Sequence, residues 1–479
     1  MVYFRIVEKK PFWYFFFKAW LRQVFNHAYY RRVYVSGKAN LPEKGVPFMM
    51  VSNHQNGLLD ALAILFSMPL RYPVVFLARA DVFKKKTAAK ILNFCKIMPV
   101  YRQRDGRETL GGNAAIFDEA AKLAGSGYPV TLFPEGKHQE GHWLGQVKKG
   151  FARIAFDAAE RNGFPENMVI VPVGNHYSDY FVKRAELCVN FGEPIRLSRY
   201  YALYKENPPK AMTALAEEVR ASIQGLMLDI PDTEHYADYD FLREVVRTGH
   251  RRRLPESLAA DRRFADNLRR MVEKSGIERG VSDQSVGSRV EGNPEDPERI
   301  EACRWLEALR QKAGTYRDAL HALRVGTSEV ENVPTLPELT GRLFLLLLGL
   351  PLALYGMLFT GLPVWMGRRK SAGIAARIKN KMLRSSFDFV ITQLIFTGLS
   401  YMVYIVAYWV AVSCMSVEAG LAWGVFALLL ASWMLTRAFW QDYLRYACRS
   451  FRRFRAFGRK KQCRALQPLR AELCAMTRS

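Results

Sequence analysis

A histidine and a carboxylate stand close together in the segment Ser52-Asn53-His54-Gln55-Asn56-Gly57-Leu58-Leu59-Asp60. An imidazole beside a carboxylate is general-base equipment. The carboxylate fixes the tautomer and supports the imidazolium that forms when the other nitrogen takes a proton. The pair alone is a weak signal, because many surface histidines have acidic neighbours. A second segment, Phe133-Pro134-Glu135-Gly136-Lys137-His138, brings together a carboxylate, a turn glycine and basic side chains. That set suits a polar ligand with hydroxyl and phosphate groups, or else is an ordinary strand-to-loop transition. Two rival chemistries lack their patterns. There is no G-x-S-x-G nucleophile elbow for a serine hydrolase. His138 and His142 lie four apart with Glu140 between and His176 downstream, but the HExxH order is missing and Gly136 and Gly141 argue for a loop. No metal site and no cofactor are expected.

The elements that must position these residues alternate. Phe48–Val51, Val74–Leu77, Pro129–Phe133 and Met168–Val173 are short apolar runs with turn signals nearby. Between them, Leu58–Ser67, Asn113–Ala124 and Phe151–Arg161 carry helical patterns. Strands alternating with helices predict an α/β domain with a largely parallel sheet. His54 then falls on a strand-to-helix turn, and Glu135 at a strand end, where an α/β sheet presents reactive side chains.

Four blocks, in this order, resemble the glycerolipid acyltransferase family, which includes lysophosphatidate and glycerol-3-phosphate acyltransferases. They are NHQNGLLD at 53–60, MPVYR at 98–102, FPEGKH at 133–138 and VIVPVGN at 169–175. The resemblance covers roughly residues 30–200. It implies that His54 deprotonates the acceptor hydroxyl and that Asp60 orients it. It implies that Arg102 binds an acceptor phosphate, for which the bidentate guanidinium is suited. Glu135 and Gly136 match the acceptor-binding box, and Pro172 matches a structural proline. Two departures stand out. Five residues separate His54 from Asp60 where most members have four, and Gly57 is the residue best able to absorb the insertion. The usual Thr-Arg after Glu-Gly is Lys137-His138 here, so Lys137 is the candidate replacement charge. The implied reaction is direct acyl transfer from acyl-CoA or acyl carrier protein to a glycerol phosphate acceptor, lysophosphatidate being favoured. Glycerol-3-phosphate and another lipid hydroxyl are the alternatives; a non-catalytic lipid-binding membrane protein is the non-enzyme rival. Lys84, Lys85, Lys86, Lys148 and Lys149 either attract an anionic carrier or form a solvated basic face.

The 479-residue chain as a whole reads as membrane-associated. Its net charge is +25, and the basic runs flank apolar ones, which favours anionic headgroups over nucleic acid. Seven cysteines with no C-x-x-C pair fit a reducing compartment. Residues 1–32 hold an aromatic segment with Lys18, Arg22, Arg31 and Arg32 in or after it. It is too short and charged to span, and does not resemble a secretory signal, so it is an interfacial helix or a helix covering the core. The acyltransferase domain is expected over 33–205 and a helical region over 206–340, with a flexible Gly/Ser/Pro-rich loop at 275–297. Membrane helices follow over 341–440, and a basic cytoplasmic tail over 441–479. Leu343–Met366, Phe389–Val417 and Ala419–Thr436 contain no charged residue. Residues 367–388 hold seven Lys or Arg against one Asp, and 437–479 twelve against two acids. The positive-inside rule therefore places both in the cytoplasm, with the catalytic domain, at a bacterial inner membrane or its equivalent. A hairpin over 389–436 turns near Glu418. The stretch 343–366, broken by Gly349, Pro351, Gly356, Gly361 and Pro363, is predicted to re-enter rather than span, a plain third span being the alternative.

Overall fold

The computed structural model describes residues 12–70, 72–83, 86–100, 107–247, 253–276, 296–376, 386, 388–415 and 418–477. The chain forms two compact units. One comprises residues 1–26, 30–181 and 185–228; the other comprises 27–29, 182–184 and 229–479.

The first unit opens with helix α1 (Phe12–Gln23) and a π-helical turn at Val24–Tyr29. It continues through β1 (Arg32–Ser36), β2 (Phe48–Ser52), α2 (Leu58–Ser67), β3 (Val75–Arg79), α3 (Lys86–Phe94), β4 (Ile97–Val100) and α4 (Arg107–Gly125). Then come β5 (Val130–Leu132), α5 (Gly150–Arg161), β6 (Val169–Tyr177), β7 (Glu186–Phe191), β8 (Ile195–Arg196), α6 (Tyr201–Glu206) and α7 (Pro208–Gln224). The described strands make one eight-stranded sheet, ordered β1-β7-β6-β2-β5-β3-β4, with β8 also on β6. β6, β2, β5, β3 and β4 run parallel, as the alternation predicted. The β7–β1 edge is reversed, because a short return from β6 allows only antiparallel pairing.

The central strands are apolar without alternation because both sheet faces are covered. All five residues of β2 and all nine of β6 are buried. Phe151, Ile154, Ala155 and Phe156 of α5 recur at helical spacing and pack with Met49, Val51, Val130 and Ile170. Pro172 sits within β6 between the β8 pairing at 169–170 and the β7 pairing at 173–177. Its carbonyl accepts the Gly192 N–H.

Helix α1 is half docked. Tyr14 and Lys18 are buried, while Phe12, Trp13, Phe16, Phe17 and Trp20 are exposed. The Lys18 ammonium donates to the carbonyls of Tyr72 at 2.7 Å, Pro69 at 3.3 Å and Leu70 at 3.4 Å.

The second unit is helical, with α8 (Tyr236–Arg247), α9 (Leu254–Ser275), α10 (Pro297–Leu323), α11 (Thr327–Glu331) and α12 (Leu336–Ala376). A π-helix at Asp388–Phe396 leads into α13 (Thr397–Met415), α14 (Ala419–Gly458), α15 (Lys460–Ala465) and α16 (Gln467–Met476). α9 ends at Ser275 and α10 starts at Pro297; of the loop expected at 275–297, residues 277–295 lie outside those described. Two helical stretches, Leu336–Ile374 and Gly398–Met415, are long and apolar enough to cross a membrane.

The re-entrant hairpin expected at 343–366 does not form. α12 is one 41-residue helix with Pro351 and Pro363 inside it, roughly 60 Å long at 1.5 Å per residue. Proline and glycine break helices in water, but in apolar surroundings neighbouring helices satisfy the freed groups. Here α12 packs antiparallel on α14. Glu338 pairs with Arg453, Tyr443 donates to the Leu346 carbonyl, and Tyr355 meets Ser432. Small residues permit the approach: a Cβ on Gly356 would stand 2.6 Å from the Thr436 carbonyl oxygen. Past this crossing α12 stays beside the same part of α14: Trp440 donates to Thr360 Oγ1 and clusters with Val364. The turn near Glu418 agrees with the expected hairpin: Trp409 lies on Trp423, and Tyr408 donates to the Ala422 carbonyl.

Burial, reinforced by Arg22, lowers the Lys18 pKa to about 7. Its folded value is below that of an unfolded lysine, so the unfolded chain holds the extra proton between about pH 7 and 10.4. Wild type should therefore gain stability over Lys18→Met with rising pH in that window, by up to about 1.4 kcal/mol per pH unit. Denaturant titrations at several pH values measure this gap; a gap independent of pH contradicts the buried, low-pKa amine.

Candidate active site

β2 delivers its buried chain end at Ser52, and residues 53–57 turn into α2. Asp60 lies in the first turn of that helix, where the N-terminal dipole favours a carboxylate. Its Oδ2 accepts from His54 Nδ1 at 2.9 Å, from the Gln55 N–H at 2.8 Å and from the Asn56 N–H at 2.7 Å. Its Oδ1 accepts from Tyr177 Oη at 2.6 Å. Asp60 is fully buried, and these four donors occupy both of its oxygens. Since Nδ1 faces an acceptor, it carries the proton and Nε2 keeps its lone pair.

Five residues fit between His54 and Asp60 because Gly57 takes φ 56° and ψ −127°, a region closed to side chains with a Cβ. The imidazole stacks on Phe133, with centroids 4.2 Å apart and planes at 18°, and His138 lies 4.0 Å away on centroids. Its backbone is clamped as well. The His54 N–H donates to Glu135 Oε1 at 2.6 Å, and its carbonyl accepts the Gln139 N–H.

Glu135 is buried, and its Oε2 accepts the Gly145 N–H at 2.8 Å. Burial pushes its pKa up to about 8, while the His54 and Gly145 N–H groups and Gln139 oppose the rise. Two short N–H donors, one per oxygen, are the geometry of a carboxylate. A Cβ on Gly145 would fall 2.7 Å from Glu135 Oε2, so the glycine lets that loop close on it. Gly136, with φ +67°, makes the turn after Glu135, and Lys137 is exposed beside it. The Lys148 ammonium stands 3.7 Å from where a Gly136 Cβ would be. The structure thus brings His54, Asp60 and Glu135 together, with Gly136 and Lys137 on the adjoining turn. Arg102 lies outside the described residues.

Three contributors went unnoticed in the sequence. Asn53 and Asn175 exchange two hydrogen bonds, Asn53 Nδ2 to the Asn175 carbonyl and the Asn175 N–H to Asn53 Oδ1, at 2.9 and 2.7 Å. Tyr177 follows on the same strand, two residues on and so on the same face. The period-2 pair of Asn175, the last residue of the fourth block, and Tyr177, two residues beyond it, was the available signal. Among the described residues no cluster of three or more metal-ligating side chains forms. His142 instead meets Tyr180 Oη at 2.8 Å, and Tyr180 also donates to Gln55.

The turn itself can be tested. Gly57→Ala forces a Cβ into its closed region, which costs about 1–3 kcal/mol. The variant should lose that much stability and lose the hydrogen-bonded Nδ1 proton signal of His54 in NMR spectra. Wild-type stability with the signal intact contradicts the assignment of the extra residue.

Residues 32–175 match the Acyltransferase family. Glycerol-3-phosphate O-acyltransferase 2 of Saccharomyces cerevisiae is 28% identical over 117 residues, which is 24% of this chain and 15% of the relative. A chloroplastic 1-acyl-sn-glycerol-3-phosphate acyltransferase of Brassica napus is 27% identical over 165 residues, covering 34% of this chain and 42% of the relative. The chain therefore spans less than half of each of these curated relatives. The crystal structure of a 1-acyl-sn-glycerophosphate acyltransferase from Thermotoga maritima aligns with a TM-score of 0.31 and 16% identity, over 44% of this chain and 78% of that one. The matched stretch begins at β1, ends at Asn175 and holds His54, Asp60 and Glu135, with Tyr177 just beyond it: residues 32–175 match an Acyltransferase domain, in a chain similar over part of its length to acyltransferases of glycerol phosphate lipids.

Proposed function

We propose that the chain transfers a fatty acyl group from a thioester, acyl-CoA or acyl carrier protein, to a hydroxyl of a glycerol phosphate acceptor, lysophosphatidate being favoured, in phospholipid synthesis. The observation that carries this reading is the imidazole of His54 fixed by a buried carboxylate through Nδ1. Its Nε2 takes the acceptor hydroxyl proton as that oxygen attacks the thioester carbonyl. The tetrahedral intermediate collapses, the carbon–sulfur bond breaks, and the imidazolium returns the proton to the leaving thiolate. Atoms and charge balance without an enzyme nucleophile or a cofactor.

In this reading Asp60 orients the base, and Tyr177 and the 55–56 amides hold Asp60. Glu135 positions the His54 backbone rather than the acceptor, since the protein's own N–H groups occupy both of its oxygens. Arg102 and Lys137, with Lys148, are the proposed phosphate contacts. Lys137 and Lys148 are exposed cations beside the Gly136 turn, free to meet an anion.

We propose further that the protein acts at a membrane, a bacterial inner membrane or its equivalent. Two helices of sufficient length and the exposed aromatic face of α1 support this. Rings such as Trp13 and Trp20 suit a headgroup boundary. The twelve Lys or Arg of 437–479 favour the cytoplasm for the Arg453 end of the α12–α14 pair. That end also holds the start of α12, and thus supports a cytoplasmic catalytic domain.

Purified full-length protein in lipid nanodiscs, given a panel of acceptors with each thioester donor, tests the reading. Transfer to a glycerol phosphate acceptor is expected, and His54→Ala should reduce it at least about a thousandfold. Equal transfer by His54→Ala contradicts the mechanism; transfer by neither form supports the lipid-binding alternative. Tyr177→Phe deprives Asp60 of a buried donor worth about 1.5–3 kcal/mol. It should lower kcat about 10- to 100-fold with little change in acceptor KM, whereas unchanged kcat removes Tyr177 from the account.

A further inference from the structure

The second unit carries a groove of about 420 Å³ that the proposed chemistry does not use. It is lined by Trp365, Met366, Arg369, Lys370, Gly373 and Ile374 of α12, and by Phe396 at the end of the π-helix. The α12 residues form two adjacent ridges at i, i+4 and i+8, namely 365, 369, 373 and 366, 370, 374. Each ridge therefore changes character along the helix axis: an apolar residue first, then a cation, then a small or aliphatic residue.

The apolar end continues the uncharged run 343–366. Trp365 and Met366 are 54% and 45% exposed, so no protein group covers them fully. The Arg369 guanidinium lies 5.5 Å above the Trp365 ring, which holds the cation over the apolar floor. Nothing lies within 4 Å of a Cβ built on Gly373, leaving the groove open beyond the cations. The opposite wall is fixed by close packing: a Cβ on Gly367 would stand 2.8 Å from Thr392 Cα. That contact belongs to the π-helix, a rare form that recurs at functional sites. None of the lining residues is acidic.

A ligand matching this order has an anion at the level of Arg369 and Lys370 and a hydrocarbon along Trp365, Met366 and Phe396. A soluble anion would leave the apolar half in water, and a neutral lipid would leave two cations unmatched. We infer that this groove binds one anionic phospholipid of the surrounding membrane, its phosphate between Arg369 and Lys370 and its acyl chain against Trp365, Met366 and Phe396. Arg supplies a fork for phosphate oxygens and Lys a point charge, each drawn to an anionic membrane surface. The inference rests on the membrane reading above.

The full chain in nanodiscs, followed by native mass spectrometry of the released complex, tests it. Wild type should retain phosphatidylglycerol at least tenfold better than phosphatidylcholine with the same chains. Arg369→Ala/Lys370→Ala should lose that preference, while Lys460→Ala/Lys461→Ala, which removes the same charge from exposed positions elsewhere, should keep it. Millimolar glycerol phosphate should not displace the lipid. Equal retention of both lipids by wild type, an unchanged preference in the Arg369/Lys370 variant, or displacement by glycerol phosphate each overturns the assignment. Failure of wild type to enter phosphatidylcholine nanodiscs would instead overturn the membrane reading itself.

Discussion

A single buried carboxylate organises the catalytic unit. Asp60 has no contact with water, yet it receives one imidazole N–H, two backbone N–H groups and one phenol hydroxyl. A buried anion is costly unless its hydrogen-bond sites are filled. Filling them fixes much else. The 55 and 56 amides can reach Oδ2 only if the chain turns sharply after His54, which Gly57 allows. Tyr177 can reach Oδ1 only if β6 continues to the level of that turn, which the Asn53–Asn175 exchange secures. The preference of His54 Nδ1 for its proton follows from the same anion.

The second carboxylate works differently. Glu135 touches neither imidazole nitrogen; it holds the backbone on which the imidazole stands and ties it to the loop at Gly145. Phe133 and His138 then confine the ring from its sides. The segment that resembles an acceptor-binding box is thus also the frame of the base, so changes there should disturb both binding and chemistry. Long-range pairs of this kind follow from the parallel sheet, which brings the ends of β2, β5 and β6 side by side.

Local chemistry was legible in the sequence, and long-range partnership was not. His54, Asp60, Glu135 and the strand-to-helix turn stood out because their spacing is short and the flanking runs are apolar. The insertion at Gly57 could be assigned because only glycine tolerates the backbone it needs. Tyr177 lies 117 residues from Asp60, and its period-2 place after Asn175 shows the face it shares but not the carboxylate it reaches. The reversed β7–β1 edge was equally silent, since strand direction depends on a return loop rather than on side-chain pattern. The stretch 343–366 misled for a physical reason: Pro351 and Pro363 count as breakers in water, whereas packing on α14 keeps the helix continuous.

The central claim is that Asp60 makes His54 a base by holding its proton on Nδ1. Asp60→Asn keeps the shape but offers the imidazole the wrong partner, which favours the other tautomer and removes the charge that supports the imidazolium. The most direct measurement is the rate of labelled acyl transfer to lysophosphatidate by this variant and by wild type in the same nanodiscs. The account predicts a fall of about a thousandfold or more with the fold intact. A variant that transfers within about tenfold of wild type would contradict it, because that is the loss expected of a single peripheral hydrogen bond.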